Sequence, residues 1–128
     1  MHNIVVINAT RGLNILIRHL TDDTAIDLVV SSASIGTGNT APSVNDTSLD
    51  VSVLSGIPVA RATANTDNAV IEFFITDSEL ADGTYKEFGL FVNRSNEKLF
   101  ARSLITPNHT KSAGEDTLVE YTITASSS

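Results

Sequence analysis

Thr84-Tyr-Lys-Glu-Phe-Gly-Leu-Phe-Val92, Asn93-Arg-Ser-Asn-Glu97 and Lys98-Leu-Phe-Ala-Arg-Ser-Leu-Ile-Thr106 follow one another in the chain, and their reading decides the fold. Two runs of aromatic and branched residues flank five polar ones, which is the pattern of a β-hairpin. Phe88, Phe91 and Phe100, three of the five phenylalanines, lie in it and are large enough to organise a core. Phe88 and Phe91 differ in parity, so they are expected on opposite faces of their strand.

Working outward, further strands are expected at about Leu49 to Leu54, Val59 to Ala64, Ala69 to Thr76 and Thr117 to Ala125. In the last of these, Val119, Tyr121 and Ile123 alternate with Glu120, Thr122 and Thr124. Turn chemistry separates the strands at Ser55-Gly-Ile-Pro58, Asn65-Thr-Asp-Asn68, Asp77 to Gly83 and Pro107 to Asp116. Upstream, Ile26 to Ile35 reads as a strand that ends in the small residues Ser31, Ser32, Ala33 and Ser34. Small side chains permit close approach of another layer or another subunit, which marks Ser31, Ser32 and Ser34 as interface candidates. The segment Gly36 to Ser48 is loop chemistry almost throughout.

The N-terminal third reads differently. Residues 1–8 carry Ile4, Val5, Val6 and Ile7, a strand or arm that pairs with something and a candidate for adding to a neighbour's sheet edge. From Ala9 to Leu20, Leu13, Leu16, Ile17 and Leu20 recur at helical spacing, giving the one amphipathic helix expected. Gly12 keeps a rival strand reading through Leu13 to Ile17 open. The whole predicts a mainly β chain: an antiparallel β-sandwich of about six to eight strands with one N-terminal α-helix. It forms one domain over 9–125, with 126–128 a disordered tail. The expected core is Leu13, Leu16, Ile17, Leu20, Phe88, Leu90, Phe91, Phe100, Val119, Tyr121 and Ile123.

Composition narrows function. At 128 residues one core suffices, because a domain of this size buries roughly two-thirds of its unfolded surface. There is no cysteine, which removes disulfides, thiolate metal sites and a cysteine nucleophile. A net charge of −7 with eight scattered Lys and Arg argues against a nucleic-acid partner. No apolar run approaches the roughly 20 residues that span a bilayer, so no membrane partner is expected. Met1-His-Asn-Ile-Val-Val-Ile7 lacks the basic start of a signal peptide.

Candidate sites are weak as chemistry. Gly36-Thr-Gly-Asn-Thr-Ala41 matches the dinucleotide fingerprint in form, yet Pro42 and the turn residues after it supply no helix to receive a pyrophosphate. His2, His19 and His109 stand at no ligand spacing and read as surface residues. Asp77, Glu79 and Asp82 could hold Ca²⁺ in principle, but a solvated turn explains them more simply. Glu87 interrupts an apolar strand. It reads either as an exposed cross-strand ion pair or as a carboxylate buried against Arg102 or Arg61, so Glu87 and Arg102 are the candidate structural ion pair. No catalytic, cofactor-binding or metal residue is expected, nor a small-molecule substrate.

Ile35-Gly-Thr-Gly-Asn-Thr-Ala-Pro-Ser-Val-Asn-Asp-Thr-Ser-Leu49, then Tyr85-Lys-Glu-Phe-Gly-Leu-Phe91, then Leu99-Phe-Ala-Arg102 and a Thr-rich last strand, together resemble tailed-bacteriophage virion proteins. The nearest likeness is to the N-terminal attachment domain of phage tail-collar and tail-fibre proteins, and it extends from Ala9 to Ala125. The resemblance implies a non-enzymatic structural module of the tail, collar or fibre base. Such a module is assembled in the bacterial host cytoplasm and works as a homo-oligomer bound to other virion proteins. The same sandwich would also suit a capsid decoration or head-fibre protein. A carbohydrate-binding sandwich is a further alternative, and would need Tyr85 or Tyr121 exposed as a sugar platform.

Overall fold

The computed structural model describes residues 2–6, 29–43, 45–66 and 68–124. Eight strands run in order: β1 (His2–Val6), β2 (Val30–Gly36), β3 (Ser52–Pro58), β4 (Arg61–Ala64), β5 (Asn68–Ile75), β6 (Gly83–Val92), β7 (Lys98–Lys111) and β8 (Thr117–Thr124). They form two four-stranded sheets, β1-β8-β5-β4 and β3-β2-β6-β7. Strands β2 to β8 pair antiparallel throughout, while β1 lies parallel to β8. The chain is thus mainly β and sandwich-like, as its alternation predicts. No helix occurs among the described residues, and the predicted helix over 9–20, with Leu13, Leu16, Ile17 and Leu20, lies outside them.

The two sheets face each other across one apolar layer. Ile71, Phe73, Val119 and Tyr121 come from one sheet; Ala33, Ile35, Phe88, Leu90 and Ala101 come from the other. The Phe88 ring sits 5.4 Å from Phe73 and 5.8 Å from Tyr121, tilted against both, a favourable arrangement for aromatic pairs. Tyr121 is fully buried and shares a 2.8 Å hydrogen bond with Ser103, so its hydroxyl is satisfied inside the core. Phe88, Leu90, Val119 and Tyr121 are buried as their alternation predicts, whereas Phe91, Phe100 and Ile123 are half-buried at the margins.

Two expected boundaries shift. Strand β3 runs on through Gly56 and Pro58, where a turn is expected; Gly56 at φ 69° takes up the irregularity, and β3 is an edge strand that needs no N–H from Pro58 on its open side. Strand β7 likewise continues through Pro107 to Lys111. Tyr85 pairs with His109 and Glu87 with Leu104, so residues 105–108 bulge opposite Lys86, and the edge strand accommodates a proline.

Candidate functional site: a loop held by a buried carboxylate

With Phe88 and Leu90 pointing inward, Glu87 and Gly89 must face away from the second sheet. Across the strands the same outer face carries Gly36 and Leu104 beside Glu87, and Ser34 and Arg102 beside Gly89. An outward glutamate would normally be solvated, but Glu87 is completely buried because residues 37–51 fold back over this face.

Glu87 is what holds them there. Its Oε2 accepts from the backbone N–H of Gly38 at 2.7 Å and of Val51 at 2.7 Å. Its Oε1 accepts from the N–H of Asp50 at 2.8 Å and from Arg102 Nε at 2.9 Å. Burial is the largest influence on the carboxyl and pushes its pKa up. The hydrogen bonds from Val51, Arg102, Asp50 and Gly38 together outweigh it and hold the group below its ordinary value. Both ends of the loop are therefore tied to one side chain.

The glycines follow from this closeness. A Cβ on Gly38 would lie 2.4 Å from Glu87 Oε2 and 2.4 Å from Asp50 Cβ; one on Gly36 would lie 2.2 Å from the Val51 carbonyl oxygen. The Gly-Thr-Gly segment does receive an anion, but the anion is the chain's own carboxylate rather than a pyrophosphate. The small residues have a parallel explanation. Ser32 and Ser34, expected where another layer or another subunit comes close, are 7 % and 3 % exposed within the single chain. A Cβ on Gly89, in the same row as Ser34, would meet Leu49 Cδ2 at 2.8 Å. The hydroxyls of Ser31 and Ser32 donate to Glu97 at 2.5 Å.

Arg102 completes the site. Its side chain is 3 % exposed, and Nη1 reaches Asp46 Oδ2 at 3.3 Å. Asp46 Oδ2 also accepts from Ser43 N at 2.8 Å, and Asp50 Oδ2 accepts from the Thr40 hydroxyl at 2.8 Å. Between loop and sheet lies a cleft of about 340 Å³ lined by Thr40, Asn45, Asp46, Thr47, Ser48, Leu49, Asp50 and Arg102.

The remaining candidates resolve individually. The Glu87–Arg102 pair is the buried form rather than the exposed one, and Arg61 lies on the exposed strand β4, away from it. Among Asp77, Asp82 and Gly114, the place a cation would take belongs to Lys111. Its Nζ, on a side chain 1 % exposed, donates to Asp77 Oδ1, to the Asp77 carbonyl at 3.2 Å and to Asp82 Oδ1 at 3.0 Å. Glu79 instead caps its own turn through Thr76. His109 is half-buried beside the Thr117 hydroxyl at 3.2 Å, and burial lowers its pKa. Tyr85 and Tyr121 are 3 % and 0 % exposed, so neither offers the sugar platform that a carbohydrate-binding reading needs. The segment containing Ile4, Val5 and Val6 pairs with β8 of its own chain; Ile7 and His19 lie outside the described residues.

Sequence reasoning singles out Glu87 and Arg102 but misses Asp46, Asp50 and the three loop N–H groups. A glutamate in an apolar strand, with a glycine-rich loop elsewhere in need of partners, is the signal that could have joined them. Comparison with protein-family models, with curated proteins and with solved structures gives no match.

Proposed function

We propose that the chain is a non-enzymatic structural module of a tailed-bacteriophage particle, an adaptor or attachment unit at the tail, collar or fibre base. It acts as a homo-oligomer and through contacts with other virion proteins. The observation carrying this reading is that the motifs on which the resemblance rests form one physical unit. Gly36 to Leu49 lies on the strand that holds Glu-Phe-Gly-Leu-Phe, and both are joined to Arg102 of Leu-Phe-Ala-Arg. Such a loop is a pre-ordered surface, and pre-ordering lowers the entropic cost of association.

The exposed apolar side chains fit an assembly role. Val51 and Val53, 50 % and 48 % exposed, stand at the start of edge strand β3, and Phe74 is 48 % exposed on β5. Apolar groups beside an unpaired strand edge favour pairing with another chain. The test is to recover the chain by mass spectrometry from purified particles and to locate its density by cryo-electron microscopy. Density at the tail, collar or fibre base supports the proposal. Density on the capsid exterior transfers the chain to the decoration class, and a monomer that never sediments with particles overturns both.

A further inference from the structure

At one end of the sandwich the inner, apolar face of a sheet reaches past the sheet opposite. On β4 and β5, Ala62 pairs with Ile71 and Ala64 with Ala69, so all four side chains share the face on which Ile71 joins the core. Ile71 is buried, yet Ala62 and Ala64 are exposed and Ala69 is half-buried. The facing sheet stops short at this end, where β2 begins at Val30 and β3 finishes at Pro58. The result is an apolar groove of about 270 Å³. Among the described residues its lining also takes in Val29, Val30 and Val59, and Thr63 is its one polar member.

Where the chain leaves and rejoins the described strands identifies what covers this groove. Val6 pairs with Ile123, Ile123 with Ala69 and Ala69 with Ala64, so β1 ends in the row of residues that crosses the groove. Val29, at the return, is itself in the lining and 58 % exposed. Residues 7–28 therefore start and finish beside it. They hold Leu13, Leu16, Ile17 and Leu20, aliphatic residues at helical spacing, with Arg11 and Arg18 on the opposite side of the same wheel. A helix over 9–20 is about 18 Å long, and the three strand spacings from β1 to β4 amount to about 14 Å, so it spans the row. Residues 21–28 reach about 28 Å when extended, enough to return to Val29.

Other occupants fit less well. Small-molecule pockets begin at roughly 300 Å³ and carry several polar groups that fix orientation, and this lining has only Thr63. A second copy would have to bury roughly 800 Å² on each partner, far more than a groove of this size provides.

We propose that residues 9–20 dock in this groove as an amphipathic helix, with Leu13, Leu16, Ile17 and Leu20 against Ala62, Ala64 and Ala69 and with Arg11 and Arg18 turned outward. The alanines suit this arrangement, because short side chains let a helix come close to the sheet and interiors pack without voids. The docking is independent of any role in a particle.

The test is a NOESY measurement on the full chain carrying ¹³C-labelled Ala, Ile, Leu and Val methyl groups. NOEs from at least two of Leu13, Leu16, Ile17 and Leu20 to the methyls of Ala62, Ala64 or Ala69 are expected. In a sample mixing labelled and unlabelled protein, none of them should run between chains. Ala64→Phe, at an exposed position, fills the groove; it should erase these NOEs and speed trypsin cleavage after Arg11 and Arg18 by about tenfold or more. Phe74→Ala, exposed on β5 and outside the lining, should change neither. If Ala64→Phe fails to fold, the wild-type NOEs decide alone. Absence of those NOEs, NOEs that run only between chains, NOEs from the four residues to another surface instead, or cleavage indifferent to Ala64→Phe would each overturn the proposal.

Discussion

Two buried charges pin two loops in this molecule, and they do it by different means. Glu87 is enclosed on every side, and three of its four partners are backbone N–H groups of a loop that would otherwise have to find water. Lys111 is equally covered, yet the carboxylates it holds, Asp77 and Asp82, are 45 % and 56 % exposed. Deleting the first charge strands donors in a dry place; deleting the second leaves acceptors that water can satisfy. Burial of the charge itself therefore does not measure its importance: the fate of its partners does.

The sharpest way to break the comparison is Glu87→Gln. The amide is nearly isosteric, but it cancels the charge facing Arg102 and turns an N–H toward donors. A loss of about 3–5 kcal/mol in urea unfolding is expected, as for other broken buried pairs. Arg102→Met should cost less, because Glu87 keeps the Gly38, Asp50 and Val51 donors. If the two variants lose the same amount, the ion pair rather than the loop backbone is what Glu87 serves.

Next in size is Gly38→Ala. The added methyl would collide with the Glu87 carboxylate and with Asp50, and the fault should cost about 1–3 kcal/mol, as overpacking of a tight site does. Gly114→Ala, in the loop that Lys111 pins, meets open space and is opposed only by its φ of 82°. It should cost less than Gly38→Ala, and a reversal of that order in thermal melts would show that the 37–51 loop is loosely seated.

Acid unfolding sharpens the contrast further. The Glu87 pKa is depressed in the folded chain, so the unfolded chain takes up the proton first. Its contribution is complete above the ordinary value of 4.5 and disappears as pH falls through the folded value. Asp77, lowered chiefly by its hydrogen bond from Lys111, and Glu79, lowered chiefly by the Thr76 N–H, have the same sign. Between pH 5 and 2 the wild-type chain should lose stability more steeply than Glu87→Gln, whose residual slope comes from the other two. Parallel profiles would mean that the Glu87 pKa is the same in the folded and unfolded chains; a wild-type profile that gains on the variant as pH falls toward 4.5 would mean that it is raised.

How much of this the sequence discloses depends on range. Alternation places Val119 and Tyr121 in the core because a strand's period is local, and the Phe88–Leu90 side is legible for the same reason. Glu87 is ambiguous from sequence because its partners lie 36 to 49 residues away in a loop without periodicity. The serines of β2 could equally have faced another subunit or another layer, and a pattern of small residues does not say whose layer will come. Lys111 hides for a further reason: it sits past a proline, at the end of a strand expected to stop at Thr106.

The smallest effect is expected from Lys111→Met, and its pH dependence gives the comparison a check from the other end of the scale. The methionine keeps the aliphatic packing of a side chain that is 1 % exposed, and the carboxylates released from Nζ turn to solvent. At neutral pH the loss should be well below that of Glu87→Gln. The Lys111 pKa is raised, first by its hydrogen bond from Nζ to Asp77, so its contribution is present below the ordinary value of 10.5 and vanishes as pH climbs through the folded value. Tyr85 and Tyr121, both raised by burial, also withdraw stability in alkali, beginning near their ordinary value of 10.0, and they remain in the variant. Lys111→Met should consequently decline less steeply than the wild-type chain above pH 10.5, while the tyrosines' share of the decline persists. If instead its cost at pH 7 equals that of Glu87→Gln, the exposed partners of Lys111 matter as much as the buried ones of Glu87, and the distinction between the two pins fails.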